Sequence, residues 1–418
     1  MPRRPDGVRP PWKGRRVLLG VTGGIAAYKS IQLARDLTRL GAEVPVVLTE
    51  SATRFVTPLA FEAVTGGAVY RSLWSVEGAA RHLQLARETD LVLIAPATAD
   101  FIARSALGRA DDLLTTILLA SRAPVLLAPA MNDRMWSHPQ TRRNADHLTE
   151  ILGYHLAGPT TGALAIGEGD GRGRMEEPEH LLLHAGRLLG ISDAWAGRRV
   201  LITAGPTREP LDPVRYLGNR SSGRMGYALA EAAWLRGADV TLVTGPTSLP
   251  RPLGVRCIEV ETAREMETAV RETLPGHDLQ IFAAAVADFR PEESAPGKVK
   301  RAGVEAGKSW DVSLVENPDV SADTRDARGD GSVTVGFALE SEELIDRARG
   351  KMERKEFDFI VANPAGEEGA GFDSSTNRVT LLDRAGGVVD LPRAEKWEIA
   401  WQLLDRFEQG FASGGRDG

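Results

Sequence analysis

Five short loops hold the residues whose types and spacing could do chemistry, and each loop follows a run of apolar residues. A glycine pair directly after a strand lets backbone N–H groups approach a phosphate, although plain tight turns use such pairs too. Polar side chains in these loops can hydrogen-bond a planar cofactor or simply cap the next helix. The five loops are Gly23-Gly24, Pro96-Ala-Thr-Ala-Asp100, Pro129-Ala-Met-Asn132, Gly205-Pro-Thr-Arg208 and Ala283-Ala-Ala-Val-Ala-Asp288.

The elements that must position these loops alternate between apolar runs and helix-period patterns, which is typical of a parallel sheet covered by helices. Ligands of such α/β sheets bind at the carboxyl ends of the strands, so we expect the five loops to form the sites. Beyond the first βαβ unit, the predicted strands are Leu91–Ala95, Val125–Ala128, Leu279–Ala285, Val333–Phe337 and Phe357–Val361.

One phrase occurs twice: Trp12-Lys-Gly-Arg-Arg-Val-Leu-Leu returns as Trp195-Ala-Gly-Arg-Arg-Val-Leu-Ile. Each copy runs into a βαβ pattern, so each begins a domain with a Rossmann-like α/β fold. The distance from the strand valine to the next Gly-Ala is 24 residues in the first copy and 37 in the second, which makes the second loop 13 residues longer. We therefore predict domains over residues 1–190 and 191–418.

Composition excludes several classes of protein. The chain has 418 residues, 51 Lys and Arg against 57 Asp and Glu, and a net charge of -6, so it lacks a basic field for nucleic acid. Its single cysteine, Cys257, excludes an intramolecular disulfide framework and any multi-cysteine metal site. A reducing, cytoplasmic setting fits this cysteine content.

Two apolar stretches could be mistaken for membrane or targeting segments. Val17–Tyr28 follows several arginines but contains three glycines and continues into a helix-period pattern, so we expect a strand, turn and helix there. Leu113–Met131 is broken by Arg122 and Pro124 and is too interrupted to span a membrane. We expect neither a signal peptide nor a membrane partner.

The first half resembles the flavin-dependent cysteine decarboxylases, through the segment from Val17 to Lys29, Pro96-Ala-Thr-Ala-Asp, Asp112-Leu-Leu-Thr-Thr and Pro129-Ala-Met-Asn. The resemblance implies a flavodoxin-like domain in which His82 is the catalytic base and Asn132 holds the substrate carboxylate. By itself, His82 is more typical of a surface helix. A flavin also fits the chemistry, because a cysteine carboxylate that leaves as carbon dioxide needs an electron sink that the substrate lacks. The FMN positions that the resemblance implies are Gly24, Ile25, Thr49, Thr98 and Ala130.

The second half resembles phosphopantothenate-cysteine ligase, and the joint order resembles the bifunctional enzymes of coenzyme A biosynthesis. The matching segments are Ile202 to Tyr216, Asn219-Arg-Ser-Ser-Gly-Arg-Met-Gly, Ala284-Ala-Val-Ala-Asp and Gly336-Phe-Ala. The resemblance implies that 4'-phosphopantothenate, L-cysteine and CTP, with Mg2+ on the triphosphate, react through an acyl-cytidylate. Lys298 would offset phosphate charge during activation, and Asn219 would hold the acyl-cytidylate. The implied nucleotide positions are Ala283, Ala284, Asp288, Lys298, Asn317, Pro318, Asp319, Phe337, Lys351 and Lys355. Spacing alone would make Lys351 and Lys355 a solvated helix face.

The clearest departure from the decarboxylase pattern is Ile166, which stands where that family carries a proton-donating cysteine. An aliphatic side chain cannot donate a proton, so Glu168, Asp170 or a water would have to replace it. Cys257 lies in the other domain and is better explained as a small core residue. Asp111 in place of Asn and Phe289 in place of Tyr are milder changes.

Two other functions compete with the bifunctional enzyme. One is an active ligase with an N-terminal flavin-binding scaffold whose reductive step is impaired, which Ile166 favours. The other is an NAD-dependent oxidoreductase, which is disfavoured because Gly20-x-x-Gly23-Gly24 departs from the Gly-x-Gly-x-x-Gly fingerprint. The resemblance also implies flavin sites between subunits, and so a homo-oligomer built from trimers and dimers.

Overall fold

A computed structural model describes residues 10–74, 81–164, 167, 169–299, 310–340, 343–364 and 374–413. The chain divides into two compact units, residues 1–190 and 191–418. Among the described residues, no helix combines the length and apolar character needed to cross a bilayer.

The first unit is a parallel six-stranded sheet with helices on its faces, as the alternating pattern predicts. Its strands are β1 Val17–Val21, β2 Val46–Leu48, β3 Val69–Tyr70, β4 Leu91–Ala97, β5 Val125–Pro129, β6 His155–Leu156, β7 Thr160–Ala163 and β8 Asp170–Arg174. Its helices are α1 Ala27–Arg39, α2 Pro58–Thr65, α3 Arg81–Glu88, α4 Ala99–Ala106, α5 Leu113–Ala120, α6 Asp133–Ser137, α7 Pro139–Glu150 and α8 Pro178–Gly190. The sheet order is β3-β2-β1-β4-β5-β6.

The core of the first unit forms because its central strands are apolar on both faces. Every residue of β1 and β4 is buried, as expected for strands covered by helices on both sides. Phe101 of α4 and Ile117 of α5 are fully buried against one face. Helix α5 begins in a capping box, in which Asp112 and Thr115 satisfy each other's backbone N–H groups. The α/β fold predicted for this half is confirmed.

The second unit repeats this topology. Its strands are β9 Arg199–Ala204, β10 Arg208–Pro210, β11 Tyr216–Gly218, β12 Asp239–Thr244, β13 Arg256–Glu259, β14 Leu279–Phe282, β15 Phe289–Pro291, β16 Leu314–Glu316, β17 Val333–Glu340, β18 Phe359–Pro364, β19 Thr376–Asp383 and β20 Val388–Glu395. Its helices are α9 Arg224–Leu235, α10 Ala263–Thr273, α11 Val320–Asp323, α12 Leu344–Lys355 and α13 Lys396–Ser413. The main sheet has the order β13-β12-β9-β14-β17-β18-β19-β20, so its first six strands follow the same 3-2-1-4-5-6 order as the first unit.

The two copies of the repeated phrase are anchored in the same way. In the first, the Asp90 carboxylate accepts a hydrogen bond from the Arg16 backbone N–H at 2.7 Å. In the second, Asp278 accepts from the Arg199 backbone N–H at 2.8 Å. In both units the aspartate directly precedes the strand next to the first one, so each pair ties the starts of two neighbouring strands together.

The second sheet is mixed, which the sequence did not predict. The strands β13, β12, β9, β14, β17 and β18 are parallel, whereas β19 and β20 are antiparallel to their neighbours. Only residues 384–387 connect β19 to β20, and Gly386 adopts a positive φ of 96° there. A connection of this length makes a hairpin, because a parallel crossover needs a dozen or more residues.

Among the described residues, three small antiparallel pairs of strands lie outside the main sheets. The strands β7 and β8 pair with each other, as do β10 with β11 and β15 with β16. The β10–β11 hairpin is built from the residues that lengthen the second glycine loop. Each hairpin lies beside one of the candidate sites.

The edges of the two sheets are short or charged. In the first unit the edge strands β3 and β6 have two residues each. In the second, β13 carries exposed Arg256 and Glu259 at its ends, and β20 contains Asp390, Pro392 and Arg393.

Candidate active sites in the two units

A pocket of about 700 Å³ opens in the first unit at the carboxyl ends of β1, β2, β4 and β5. The β7–β8 hairpin closes one side of it, through residues such as Ala163 and Gly173. A site at this edge is expected for a doubly wound sheet, since the strand order reverses between β1 and β4. The predicted residues that line it are Gly24, Ile25, Thr49, Thr98, Ala130 and Asn132.

Hydrogen bonds between two loops fix the position of Thr98. The Thr22 hydroxyl donates to the Pro96 carbonyl at 2.8 Å and accepts from the Thr98 backbone N–H at 3.2 Å. The Thr98 side chain then caps α4 by accepting from the Phe101 N–H. The loop after β1 and the loop after β4 are therefore joined, and the start of α4 lies against the pocket.

The loop that carries Asn132 lies directly against the backbone of the β7–β8 hairpin. The Asn132 side chain accepts from the Arg134 N–H at 2.9 Å and caps α6. The Met131 N–H donates to the Gly173 carbonyl at 2.9 Å, which attaches the β7–β8 hairpin to this loop. A Cβ atom on Gly173 would lie 2.1 Å from the Met131 carbonyl oxygen, so only glycine fits there.

Three basic side chains, Lys29, Arg104 and Arg174, line the pocket together with the acidic Asp100. Lys29 and Arg174 both pair with Glu177, at 2.9 Å and 2.7 Å. Burial alone would raise the pKa of Glu177, but hydrogen bonds from Lys29 and Arg174 bring that pKa below its ordinary value. An anionic group that enters the pocket would meet Lys29 and Arg174 already held in place by Glu177.

Arg104 occupies a cluster of acidic side chains. Its guanidinium contacts Asp100 and Asp111 at 3.1 Å and Asp112 at 2.7 Å. Asp111, the residue that departs from the family's asparagine, therefore adds a charge partner to Arg104. Sequence reasoning missed both Lys29 and Arg104 as pocket residues, although Lys29 ends the first matching segment.

The structure does not bring His82 to this pocket. His82 is half-buried on α3, and its Nδ1 atom is buried without a hydrogen-bond partner among the described residues. Ile166 and Glu168 lie outside the described residues. Asp170 begins β8 and is exposed to solvent.

A cleft of about 460 Å³ opens in the second unit at the carboxyl ends of β9, β14, β17 and β18. It is the counterpart of the first pocket, since the strand order reverses between β9 and β14. It is lined by Asn219 and by nine of the ten predicted nucleotide positions, namely Ala283, Ala284, Asp288, Asn317, Pro318, Asp319, Phe337, Lys351 and Lys355. The tenth, Lys298, is exposed and does not line it.

One end of helix α9 faces this cleft. Gly223 is its N-cap residue and adopts a positive φ of 75°, which favours glycine. Ser221, Arg224 and Gly226 also line the cleft around the first turn. The unpaired N–H groups and the helix dipole at such an end favour a negatively charged group.

Asparagine side chains tie the cleft loops together. The Asn219 amide donates to the carbonyl oxygens of Ala285 at 3.3 Å and Val286 at 2.9 Å. The Asn317 amide donates to the Ala287 carbonyl at 2.8 Å, and its backbone N–H donates to the Asp288 carbonyl at 2.9 Å. The loop that follows β14 is thus fixed from two sides.

Both lysines of α12 lie in the cleft wall, where spacing alone would have placed them on a solvated helix face. Lys351 donates to the Phe337 carbonyl at 2.8 Å, and Lys355 pairs with Asp319 at 2.8 Å. Burial would raise the pKa of Asp319, but the hydrogen bond from Lys355 lowers it below its ordinary value. Two cationic side chains are therefore held beside the predicted nucleotide positions.

Sequence reasoning missed three polar residues at the β18 side of the cleft, Asn363, Asn377 and Lys396. Asn377 and Lys396 are only 2% and 7% exposed. The Asn363 Oδ1 atom is buried and has no hydrogen-bond partner among the described residues. These residues come from β18, β19 and the start of α13, so no single sequence motif predicts that they line one cleft.

Cys257 lies half-buried in β13, and burial raises the pKa of its thiol. Within the described ranges, no group of three or more His, Cys, Asp or Glu side chains is placed to hold a metal ion.

Comparison with known proteins supports the family resemblance of both halves of the chain. Residues 9–185 match the family model described as Flavoprotein, and residues 195–411 match the one described as DNA/pantothenate metabolism flavoprotein C-terminal domain. The chain is 46% identical over 375 residues to the coenzyme A biosynthesis bifunctional protein CoaBC of Vibrio cholerae, covering 89% of this chain and 93% of that one. It is 44% identical to the CoaBC protein of Escherichia coli, covering 94% of this chain and 96% of that one.

A solved structure of the C-terminal domain of a coenzyme A biosynthesis bifunctional protein CoaBC is 36% identical. That match covers 53% of this chain and 100% of the solved one, with a TM-score of 0.44.

Proposed function

Since the chain belongs to the family of bifunctional coenzyme A biosynthesis enzymes, which join a decarboxylase to a ligase, we propose how its two units divide that work. Residues 191–418 couple 4'-phosphopantothenate to L-cysteine at the expense of CTP, and residues 1–190 decarboxylate the product with FMN. The observation that carries this assignment is that each cleft gathers most of the residues implied for one activity, all except His82 in the first unit and all except Lys298 in the second. Near full-length similarity to bifunctional relatives disfavours both the scaffold hypothesis and the NAD-dependent oxidoreductase.

The ligase half must first activate a carboxylate, because a free carboxylate does not acylate an amine at a useful rate. We propose that CTP forms an acyl-cytidylate and releases pyrophosphate, with Mg2+ on the triphosphate. The N-terminus of α9, Lys351 and Lys355 supply positive electrostatic potential to this cleft, and Lys298 offsets phosphate charge during activation. Asn219 then holds the acyl-cytidylate while the amino group of cysteine attacks and CMP leaves.

The pocket of the first unit fits FMN. Its volume lies within the range of about 300–1,000 Å³ that is typical of ligand sites. A glycine pair at the start of α1 and three basic side chains suit a phosphate, and the flavin would lie on Gly24, Ile25, Thr49, Thr98 and Ala130. When bound, FMN supplies the electron sink that decarboxylation of a cysteine carboxylate requires. Asn132 orients that carboxylate, because its loop is fixed against the β7–β8 hairpin.

His82 is the proposed base, and we propose that it acts in a flavin site of another subunit. Its Nδ1 atom is buried and unpartnered among the described residues, and it lies outside the pocket of its own chain. Three apolar side chains that line the pocket, Ile25, Tyr28 and Met135, are 68%, 62% and 50% exposed. Such exposed apolar surface beside a pocket favours coverage by a second copy. We therefore propose a cytoplasmic homo-oligomer of trimers and dimers, to be measured by sedimentation equilibrium.

The ligase mechanism is tested by following the products of CTP. Wild-type protein should release pyrophosphate and CMP, Lys298→Ala should block activation down to a residual rate, and Asn219→Ala should accumulate the acyl-cytidylate. Arg264→Ala, a change at an exposed position of α10, is the matched control and should leave turnover unchanged. Release of orthophosphate and CDP would contradict the acyl-cytidylate mechanism.

The decarboxylase mechanism is tested by colour and by product mass. The purified protein should be yellow, and colourless protein that also fails to take up FMN would contradict the assignment. Saturated 4'-phosphopantetheine is the expected product from wild type and from Ile166→Cys. The products of Glu168→Gln and Asp170→Asn then identify the proton source. Loss of the saturated product in one variant would identify that carboxylic acid, and saturated product from both would indicate water. An unsaturated thiol from wild type, rescued by Ile166→Cys, would contradict a complete decarboxylase.

A further inference from the structure

The segment that carries Lys298 is attached to the turn between β10 and β11. At one point the Ala295 N–H donates to the Leu211 carbonyl at 3.0 Å. At the other, Val299 is held through both of its backbone groups. Its N–H donates to the Asp212 Oδ2 atom at 3.2 Å, and its carbonyl accepts from the Arg215 guanidinium at 2.6 Å. The peptide unit that joins Lys298 to Val299 is therefore held by its N–H group, and the Val299 carbonyl is held separately.

Asp212 is the buried part of this attachment. Its side chain has no exposed surface, although it lies on a turn between two short strands. One carboxylate oxygen accepts from the Val214 and Arg215 backbone N–H groups at 2.8 Å each. The other oxygen accepts from Val299, which is 87 residues away in the sequence, and lies 3.6 Å from the Arg215 Nε atom, whose guanidinium also contacts Val299. Burial would raise the pKa of Asp212, but these backbone hydrogen bonds lower it below its ordinary value, so the carboxylate stays charged.

The two oxygens thus have separate tasks. The first closes a local turn, a task for which a neutral side-chain oxygen is sufficient. The second holds a distant backbone group that would otherwise have to find another partner, since a buried unpaired N–H is costly. The nearby Trp310 ring lies 5.3 Å from the Arg215 guanidinium carbon, which steadies the second contact to Val299.

We propose that Asp212 is a positioning residue for Lys298 in the activation step. This inference rests on the proposed ligase function. Lys298 itself is exposed and its ammonium sits on a flexible side chain, so the position of its backbone decides where the charge can reach. Asp212 acts through the Val299 N–H and does not need to touch a substrate.

The test is Asp212→Asn. An asparagine keeps one carbonyl oxygen for the local turn but presents an NH2 group, a donor, to the Val299 N–H. We expect the Val299 amide to exchange its hydrogen faster, and the rate of pyrophosphate release to fall by up to roughly 100-fold. Transfer of preformed acyl-cytidylate to cysteine should stay at the wild-type rate. Asp311→Asn, at an exposed position, is the matched control.

A double variant separates positioning from a general loss of structure. If Asp212 acts only through Lys298, Asp212→Asn combined with Lys298→Ala should release pyrophosphate no more slowly than Lys298→Ala alone. An additive loss, or an equal loss in both half-reactions, would overturn the inference. If Asp212→Asn fails to fold, hydrogen exchange of the Val299 amide is measured in the wild-type protein instead. Strong protection of this amide would support the inference, whereas exchange at the rate of an unprotected amide would overturn it. Wild-type protein that releases no pyrophosphate from CTP would instead refute the proposed function.

Discussion

The closest backbone approach beside the flavin pocket gives a quantitative prediction for Gly173→Ala. The added Cβ atom would lie 2.1 Å from the Met131 carbonyl oxygen, whereas real Cβ contacts essentially never fall under 3.0 Å. The hairpin and the Met131–Asn132 loop must therefore separate by about 0.9 Å. This separation also stretches the hydrogen bond from the Met131 N–H to the Gly173 carbonyl.

Overpacking of this kind costs about 1–3 kcal/mol. In the protein without flavin the loop can relax, but a pocket shaped for FMN must recover its original geometry on binding. The free energy of the clash is then lost from FMN binding, and about 1–3 kcal/mol corresponds to about 5- to 150-fold weaker binding. Asn132 moves with the loop, so decarboxylation should decline even when the protein is saturated with FMN.

The assay is titration of flavin-free protein with FMN, followed by quenching of flavin fluorescence. Gly67→Ala in the same unit is the matched control, because its Cβ would meet only the Thr65 hydroxyl at 3.6 Å and the Val44 carbonyl oxygen at 3.8 Å, which are ordinary contacts. Pyrophosphate release by the ligase half serves as an internal check on protein quality. Equal FMN affinity for Gly173→Ala and wild type would refute the argument that this contact shapes the pocket.

Three further predictions concern stability and metal dependence. The hydrogen bond to Glu176 at 2.8 Å raises the pKa of His180, so this pair stabilises the fold fully below pH 6.5 and loses its effect as the pH rises through the raised value. His180→Gln should therefore lower the free energy of unfolding more at about pH 5.5 than at about pH 8.5, by no more than about 1 kcal/mol since the ring is half exposed. Phe101→Ala should lower the free energy of unfolding by about 3–5 kcal/mol in urea titrations, because this ring is fully buried. Removal of Mg2+ with EDTA should stop pyrophosphate release reversibly while leaving flavin absorbance unchanged, and persistent release would argue against a metal-bound triphosphate.

The sequence predicted the central strands well, because strands buried on both faces read as uninterrupted apolar runs. The predicted strand Leu279–Ala285 ends early, at Phe282, for a tertiary reason. The Ala284 N–H bonds to the Thr203 side chain, and Ala285 bridges to Pro206 instead of continuing the ladder. The hairpin strands escaped prediction because short polar stretches such as Asp170–Arg174 show no strand period.

The candidate sites were predictable to the extent that they lie at the ends of parallel strands. Topology alone brings the loops after β1, β4 and β5 to one edge, so their residues meet. Asn377 lies in the antiparallel strand β19, and Lys396 directly follows the antiparallel strand β20. Both line the second cleft, but no spacing rule relates them to the glycine loops. The distance of His82 from its expected pocket could not be read from the sequence either, since it depends on where one helix packs.

The edges of both sheets have a consequence for how copies of the chain can associate. Addition of a foreign strand needs a long, flat row of unpaired backbone groups, and strands of two residues offer almost none. In the second unit, Pro392 removes one donor from β20, and charged residues at the ends of β13 oppose close pairing. Association by side-chain surfaces is therefore favoured over continuation of a sheet from one subunit to the next. The same edges protect a partly unfolded chain from the edge-to-edge pairing that leads to aggregation.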